Sequence, residues 1–166
     1  MDPNIQIVGF RIGRETYGLP ISIVREIVRV PEITAVPNAP DHIEGVINLR
    51  GKILPVVDLR KRFNAVPVAP HSKNRIVVVE ADGRLVGLIV SSASEVLRIP
   101  PADIEGPHNV FQEGDPSYVT GVAKQNGRLV ILLDIHKILQ RSERHRLSEP
   151  IEIPETITNV RISRDL

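Results

Sequence analysis

An internal repeat restricts the possible folds of this chain more than any other feature of its sequence. Residues 17–31 resemble residues 86–100 at an offset of 69 positions, and residues 45–59 resemble residues 121–135 at an offset of 76. The difference, 76 − 69 = 7, is an insertion within 101–120, where Gly and Pro clusters predict a loop that tolerates extra residues. Because there are only two copies, the repeat predicts two similar subdomains rather than an array.

The local signals in each copy are typical of β-structure. Asn126-Gly127 lies between two apolar runs, which predicts a hairpin because both central residues of a type I′ turn need positive φ. Arg50-Gly51 occupies the same place in the first copy. The runs at 53–57 and 129–133 are short, branched and apolar, as in strands buried on both faces. About five strands and a closing helical turn in each copy favour a small barrel.

Two aspartates and a proline predict where helices begin and where one strand lies. Asp58 and Asp134 suit the N-cap position of short helices, which we expect over 59–63 and 135–144. Pro55 has no N–H to donate to a strand ladder. Its strand is therefore expected at a sheet edge, or bulged at the proline.

Charge and composition argue against several classes of partner. Lys and Arg number 21 against 20 Asp and Glu, and a net charge of +1 offers no field to attract nucleic-acid phosphates or anionic lipid. Only 3% of the residues are aromatic, which leaves few platforms for stacking bases. No stretch approaches the roughly 18 apolar residues of a membrane span, and the N-terminus does not resemble a signal peptide. We expect a cytoplasmic protein with no nucleic-acid partner and no direct membrane insertion.

The sequence contains no familiar catalytic or metal-binding motif. GxGxxG, Walker A, GxSxG and HExxH patterns are absent, and the five histidines have no ligand spacing. Asp134 and His136 could be imagined as a base and its orienting group, but the helix cap already explains Asp134. We therefore predict no catalytic residue, no metal and no cofactor. An enzyme with an unfamiliar site and a small-barrel nucleic-acid binder stay open as alternatives at this point.

Several ordered blocks carry a family resemblance. Residues 45–51 read Gly-Val-Ile-Asn-Leu-Arg-Gly and are followed at 53–59 by Ile-Leu-Pro-Val-Val-Asp-Leu. Residues 17–21 and 24–27 read Tyr-Gly-Leu-Pro-Ile and Val-Arg-Glu-Ile. Together these blocks resemble the signature of the CheW family of chemotaxis coupling proteins. The resemblance implies an all-β, CheW-like fold: two intertwined, pseudo-repeated SH3-like five-stranded barrels with short helices and a hydrophobic groove between them.

The same resemblance implies the domain boundaries. One CheW-like domain would cover 1–147, with two interlocked subdomains built from repeats at about 14–63 and 76–139. Residues 148–166 have no counterpart in the family, and their prolines argue against a central strand, so we expect a disordered or loosely docked tail. No receiver domain follows Leu166, which favours a stand-alone adaptor over its fused relatives.

As to function, the resemblance implies a non-enzymatic adaptor in bacterial chemotaxis signal transduction. Its implied partners are the cytoplasmic tip of methyl-accepting chemotaxis receptors and the SH3-like regulatory domain of the histidine kinase CheA. Because that regulatory domain is a homologue, a free regulatory module of a related two-component or motility pathway is the alternative. The absence of a kinase or phosphoacceptor segment favours the adaptor.

The resemblance also assigns candidate binding residues. Matched position by position to the family's motif, the receptor-binding residues are Glu26, Gly45 and Arg50, and the kinase-binding residue is Val24. We expect the turn at Gly51 to aim the Arg50 guanidinium back across the sheet toward the Glu26 carboxylate. Such a planar pair can be bidentate, which fixes orientation better than lysine could. The second copy has Asn126 where the first has Arg50, so its hairpin tip lacks the arginine.

Overall fold

The computed structural model describes residues 3–40, 43–63, 71–111 and 118–139, and these residues form mainly β-strands. The strands are β1 Ile5–Ile12, β2 Glu15–Pro20, β3 Val24–Arg29, β4 Ile43–Leu49, β5 Lys52–Asp58, β6 Arg75–Ala81, β7 Arg84–Val90, β8 Ser92–Ile99, β9 Ile104–Glu105, β10 Val119–Gln125 and β11 Arg128–Leu133. Two short α-helices are α1 Leu59–Arg62 and α2 Pro107–Val110, and a further helical segment occupies 135–139. The predicted all-β class is confirmed.

The strands form two sheets, and each sheet uses strands from both copies of the repeat. The first sheet has the order β3-β6-β7-β5-β4, and the second has the order β8-β1-β2-β11-β10-β9. The β6–β7 hairpin of the second copy therefore completes the first sheet, and β1–β2 completes the second. Parallel pairings of β5 with β7 and of β11 with β2 join the copies. The second sheet has six strands rather than the expected five because the two-residue strand β9 pairs with β10.

Three hairpin tips place two successive residues at positive φ, as type I′ turns require. The φ angles are 51° and 87° for Arg50-Gly51, 53° and 76° for Asp82-Gly83, and 50° and 79° for Asn126-Gly127. The hairpins predicted at 50–51 and 126–127 are therefore confirmed.

Both predicted helix caps are present. The Asp58 Oδ1 atom accepts a hydrogen bond of 3.0 Å from the backbone N–H of Arg60 at the start of α1. The Asp134 Oδ1 atom accepts one of 3.3 Å from the backbone N–H of Lys137. The first helix ends at Arg62, one residue before the predicted end. The predicted end of the second helix, like the tail at 148–166, lies outside the described residues.

The expectation that Pro55 lies on an edge strand was wrong, because β5 is an internal strand between β7 and β4. Its parallel ladder with β7 begins at Val56, so the missing N–H of Pro55 lies just outside that ladder. The irregularity of the antiparallel ladder with β4 falls between Ile43 and Gly45, opposite Val56 and Val57 rather than opposite the proline. An internal strand can accept this proline because one of its two ladders starts beyond it.

The core has one cluster within each sheet and a larger cluster that joins the two sheets. Leu19 of the second sheet and Leu88 of the first sheet are fully buried members of the joining cluster. The five aromatic side chains of the chain all belong to that cluster or pack against it: Phe10, Tyr17, Phe63, Phe111 and Tyr118. The few large rings are therefore concentrated where the two sheets meet. Among the described residues, no helix is long and apolar enough to cross a membrane.

Candidate functional site

An ion pair between Arg50 and Glu26 joins two distant parts of the first sheet. The Arg50 Nη2 atom donates a hydrogen bond to the Glu26 Oε2 atom. Glu26 lies on β3 and Arg50 lies at the tip of the β4–β5 hairpin, although β3 and β4 are the two edges of this sheet. The sheet is therefore curled enough to bring its edges together at this point. The contact predicted from the sequence is present, whereas its role in binding stays a prediction.

Local backbone features on both sides of the pair position the two side chains. The ladder between β3 and β6 is irregular between Val24 and Glu26, and this bulge re-aims the side chains of β3. On the hairpin, the Asn48 Oδ1 atom accepts a hydrogen bond of 2.8 Å from the Gly51 N–H, which holds the turn. Arg50 itself has a φ of 51°, and Gly51 follows in the left-handed region.

The electrostatics of the pair favour the charged form of both groups. The hydrogen bond from Arg50 is the main cause that lowers the pKa of the Glu26 carboxyl, and the same bond raises the pKa of the Arg50 guanidinium. The Arg50 side chain is 69% exposed and the Glu26 side chain 31%. Water screens such an open pair, so it adds little to stability. Its charged atoms are accessible to a partner.

The pair lies on the rim of a groove of about 860 Å³ at one end of the first sheet. Leu49 and Leu85 are half-buried and provide apolar surface in this groove, and they pack against the first sheet's own core cluster, to which the buried Val78 belongs. A second ion pair, between Arg25 and Glu80, lines the same groove. The resemblance implied a groove between the two barrels. The Arg50–Glu26 groove is instead lined entirely by strands and turns of the first sheet.

A smaller cavity, of about 350 Å³, lies where the two sheets meet. Tyr17, Phe63 and Tyr118 line it, with ring centroids 5.3 Å apart for Tyr17 and Phe63 and 5.6 Å apart for Phe63 and Tyr118. Burial is the main cause that raises the pKa of the Tyr17 hydroxyl. Its lining includes Phe63, Phe111 and Tyr118, each of which is next in the chain to a segment outside the described residues, and we assign this cavity no function.

The structure does not bring Gly45 to the Arg50–Glu26 groove. Gly45 is buried on β4, and a Cβ atom at this position would overlap the carbonyl oxygen of Thr34. The close approach exists because Thr34 and Val46 exchange two backbone hydrogen bonds of 2.9 Å. Any contribution of Gly45 to receptor binding would therefore act through the shape of β4, because the residue has no side chain to offer.

Val24 lies apart from the groove as well. It begins β3, is paired with Val79 on β6, and is half-buried against the cluster that joins the two sheets. Its neighbour Ile27 on the same strand is 40% exposed. In the part of the chain that the structure describes, β3 pairs along one side only, with β6, so the other side away from the Arg50–Glu26 contact can pair or pack with another protein.

The second copy contains a related ion pair that the sequence reasoning missed. The Arg128 Nη2 atom donates a hydrogen bond of 2.7 Å to the Glu95 Oε1 atom. Glu95 matches Glu26 at the offset of 69, but the cation comes from a position two residues beyond the one that matches Arg50. The glutamate match was visible in the repeat. The arginine was overlooked because only the hairpin tip was compared.

The described residues contain no group of three or more His, Asp or Glu side chains that could hold a metal ion. The imagined pairing of His136 with Asp134 does not form. The His136 Nδ1 atom lies 3.3 Å from the Asp82 Oδ1 atom instead, and Asp134 caps its helix.

Comparison with known proteins assigns the chain to a family. Residues 6–143 match the CheW-like domain family. The chemotaxis protein CheW of Treponema pallidum is 32% identical over 151 residues, which cover 89% of this chain and 89% of that protein. The chemotaxis protein CheW of Klebsiella aerogenes is 35% identical over 134 residues, which cover 81% of each chain. The crystal structure of the scaffolding protein TtCheW from Thermoanaerobacter tengcongensis matches with a TM-score of 0.73 and 41% identity, covering 80% of this chain and 90% of that one.

Proposed function

This chain belongs to the CheW family of chemotaxis coupling adaptors, and we propose that it joins methyl-accepting chemotaxis receptors to the histidine kinase CheA. In this proposal the protein acts in the cytoplasm, without catalysis and without a cofactor. The receptor's cytoplasmic tip binds at the Arg50–Glu26 groove, and the kinase's regulatory domain binds near Val24. The observation that carries the proposal is the exposed ion pair on the rim of an open groove with an apolar floor.

The groove has the chemistry that an amphipathic helix needs. Leu49 and Leu85 offer apolar surface to the helix's apolar stripe, while the charged rim meets its polar flank. A guanidinium has five N–H donors, and Arg50 uses Nη2 for Glu26. Glu26 thereby fixes the orientation of the guanidinium, and its remaining donors can reach backbone carbonyls or carboxylates of the receptor. Lysine would present a point charge without this geometry.

The kinase surface is supported by the position of Val24 on an edge strand. Beside it, Ile21 and Ile27 are 39% and 40% exposed, so this edge presents apolar side chains outside the groove. An SH3-like domain has strand edges and apolar side chains of its own that can pack there. Receptor and kinase would thus meet different faces of β3.

The mechanism of such an adaptor is geometric. Binding both partners at once holds the kinase's regulatory domain at a defined position relative to the receptor tip. A change in the receptor then shifts the populations of active and inactive kinase arrangements, provided that the two arrangements differ in their contacts with the adaptor. No bond is made or broken in this chain.

Calorimetry with two purified probes tests the proposal: a soluble receptor cytoplasmic fragment and the regulatory domain of CheA, both from the cell that makes this protein. Wild-type protein should bind both. Arg50→Ala should lose receptor binding and keep kinase binding. The matched control is Arg128→Ala, which removes an exposed, ion-paired arginine from the second sheet and should keep both. Absence of binding to either probe at high micromolar wild-type protein would overturn the proposal.

A further inference from the structure

The two copies of the repeat distribute their hairpin cations differently. Glu26 corresponds to Glu95 at the offset of 69, and Lys52 corresponds to Arg128 at the offset of 76. In the second copy the Glu95 carboxylate is bound by Arg128, the second residue after the hairpin tip. In the first copy the tip residue itself, Arg50, binds the glutamate. Lys52 therefore differs from its counterpart Arg128, because Arg128 binds a carboxylate whereas Lys52 binds none among the described residues.

The surroundings of Lys52 offer no replacement. Within the part of the chain that the structure describes, each acidic side chain lining the groove is paired with another cation: Glu26 with Arg50, and Glu80 with Arg25. No ion pair or hydrogen bond joins the Lys52 side chain to any described residue. The side chain is exposed and lines the groove beside Leu49 and Leu85. The groove thus has one more cation than it has carboxylates.

We infer that Lys52 selects an acidic partner: the segment that occupies this groove carries a carboxylate that reaches Lys52, next to the apolar side chain that covers Leu49 and Leu85. The inference rests on the proposed receptor function and adds a specificity-determining residue to it. Charge complementarity is the reason for choosing an acidic segment, since a basic one would meet Lys52 and Arg50 as like charges.

The chemistry of lysine defines what this contact does. Its ammonium is a strongly hydrated point charge on a flexible stem, so it accepts a carboxylate over a range of positions and enforces no planar geometry. An exposed charge of this kind contributes chiefly to the association rate and to the choice of partner, and salt screens it. Arg50 would therefore orient the receptor segment, and Lys52 would discriminate by charge.

The test measures the dissociation constant for a soluble cytoplasmic receptor fragment at low and high salt. Lys52→Ala should weaken binding about two- to fivefold at low salt and flatten the salt dependence. Lys52→Glu should weaken it about tenfold or more, because like charges then face each other. Lys52→Arg should stay close to wild type. The matched control is Lys124→Glu, a charge reversal at an exposed strand lysine of the second sheet, which should change binding little.

The possible failures are distinguishable. If Arg50→Ala loses receptor binding while Lys52→Glu binds as well as Lys124→Glu, the inference about Lys52 is wrong and the proposed function stands. If the wild-type protein does not bind the fragment, the inference about Lys52 and the proposed function are both wrong. Circular dichroism of Lys52→Glu checks its fold, and Lys52→Ala supplies the same readout without a new charge. A basic substitution of one receptor carboxylate that restores binding to Lys52→Glu would identify the contact, and failure of every such substitution would overturn direct pairing.

Discussion

Glu95 on β8 accepts a hydrogen bond of 2.7 Å from Arg128 on β11, so that an ion pair links an edge of the second sheet to its β10–β11 hairpin. Glu26 and Arg50 link the corresponding parts of the first sheet. A pair in this place is therefore a property of the repeated unit, which a purely structural role would explain. An arginine at the hairpin tip belongs to the first copy alone. We predict that the position of the cation at the hairpin tip matters for receptor binding rather than for the fold.

Arg50→Lys tests whether the guanidinium's geometry matters. We expect the variant to fold normally and to keep an ion pair with Glu26, yet to recover only part of the receptor binding that Arg50→Ala loses, because an ammonium has no planar fork. Fluorescence titration with the receptor fragment measures the affinity, and urea unfolding checks the fold. Full recovery by lysine would mean that positive charge at this tip suffices.

Arg50→Asn combined with Lys52→Arg rebuilds the second copy's arrangement in the first. The new arginine should take the Glu26 carboxylate as Arg128 takes Glu95, so the denaturation midpoint should change little. Receptor binding should nevertheless fall well below wild type, since this variant has no guanidinium at the hairpin tip to orient the receptor segment. Calorimetry with the receptor fragment provides the readout. A double variant that binds like wild type would reduce the Arg50–Glu26 pair to a structural contact.

The pKa of the Glu26 carboxyl is lowered by its hydrogen bond from Arg50, and this gives a pH prediction with a definite sign. Because the pKa is lower in the folded protein than in the unfolded chain, the pair's contribution to stability is present above the unfolded pKa. It is lost as the pH falls through the folded pKa. Carboxyl carbon NMR should show Glu26 titrating below the usual glutamate range in wild type and returning towards it in Arg50→Ala. Identical titration curves would exclude the hydrogen bond in solution.

Several local features of the fold were predictable from the sequence because they depend on neighbouring residues alone. The positive φ at Asn126-Gly127 and Arg50-Gly51 follows from turn chemistry, and the caps at Asp58 and Asp134 follow from the side chain's reach to the next turn. The internal place of Pro55 was not predictable, because it depends on where the ladder with β7 begins.

The exchange of hairpins between the sheets escaped the repeat analysis for a physical reason. The repeat offsets identify which strands of the two copies correspond. They do not say which strands pair, because β6–β7 could pair with strands of either copy and bury the same apolar faces. Which strands pair with β6–β7 depends on how its apolar side chains pack against both sheets, and the periodicity of the sequence carries no information about that packing. The site shows the same limit: contact between Glu26 and Arg50 was expected, whereas a groove confined to the first sheet follows from the three-dimensional path of β6 and β7.

Val24 is half-buried, so its proposed kinase role needs a control matched for lost packing. Val24→Ala and Val28→Ala each truncate a half-buried valine of β3, and each should lower the free energy of unfolding by about 1 kcal/mol. Only Val24→Ala should weaken binding of the CheA regulatory domain, measured by calorimetry at a temperature where both variants are folded. Equal losses of affinity would mean that β3 stability, rather than a contact by Val24, controls kinase binding. Val24→Asp is less informative, since a carboxylate against the joining cluster would also destabilise the fold.

Gly45→Ala should lower the stability of the fold rather than remove a direct contact with a partner. The added Cβ would overlap the Thr34 carbonyl oxygen, a backbone atom that is held by two hydrogen bonds to Val46 and cannot move away cheaply. We expect the free energy of unfolding to fall on the order of 2–3 kcal/mol. Urea unfolding measures it, with Gly106→Ala as the control because a Cβ there meets no atom of the described residues within 4 Å. If Gly45→Ala were as stable as Gly106→Ala but failed to bind the receptor fragment, the β4 backbone at Gly45 would itself be a receptor contact. Loss of stability and receptor binding together, with binding recovered at lower temperature, would assign Gly45 to the architecture that supports the groove.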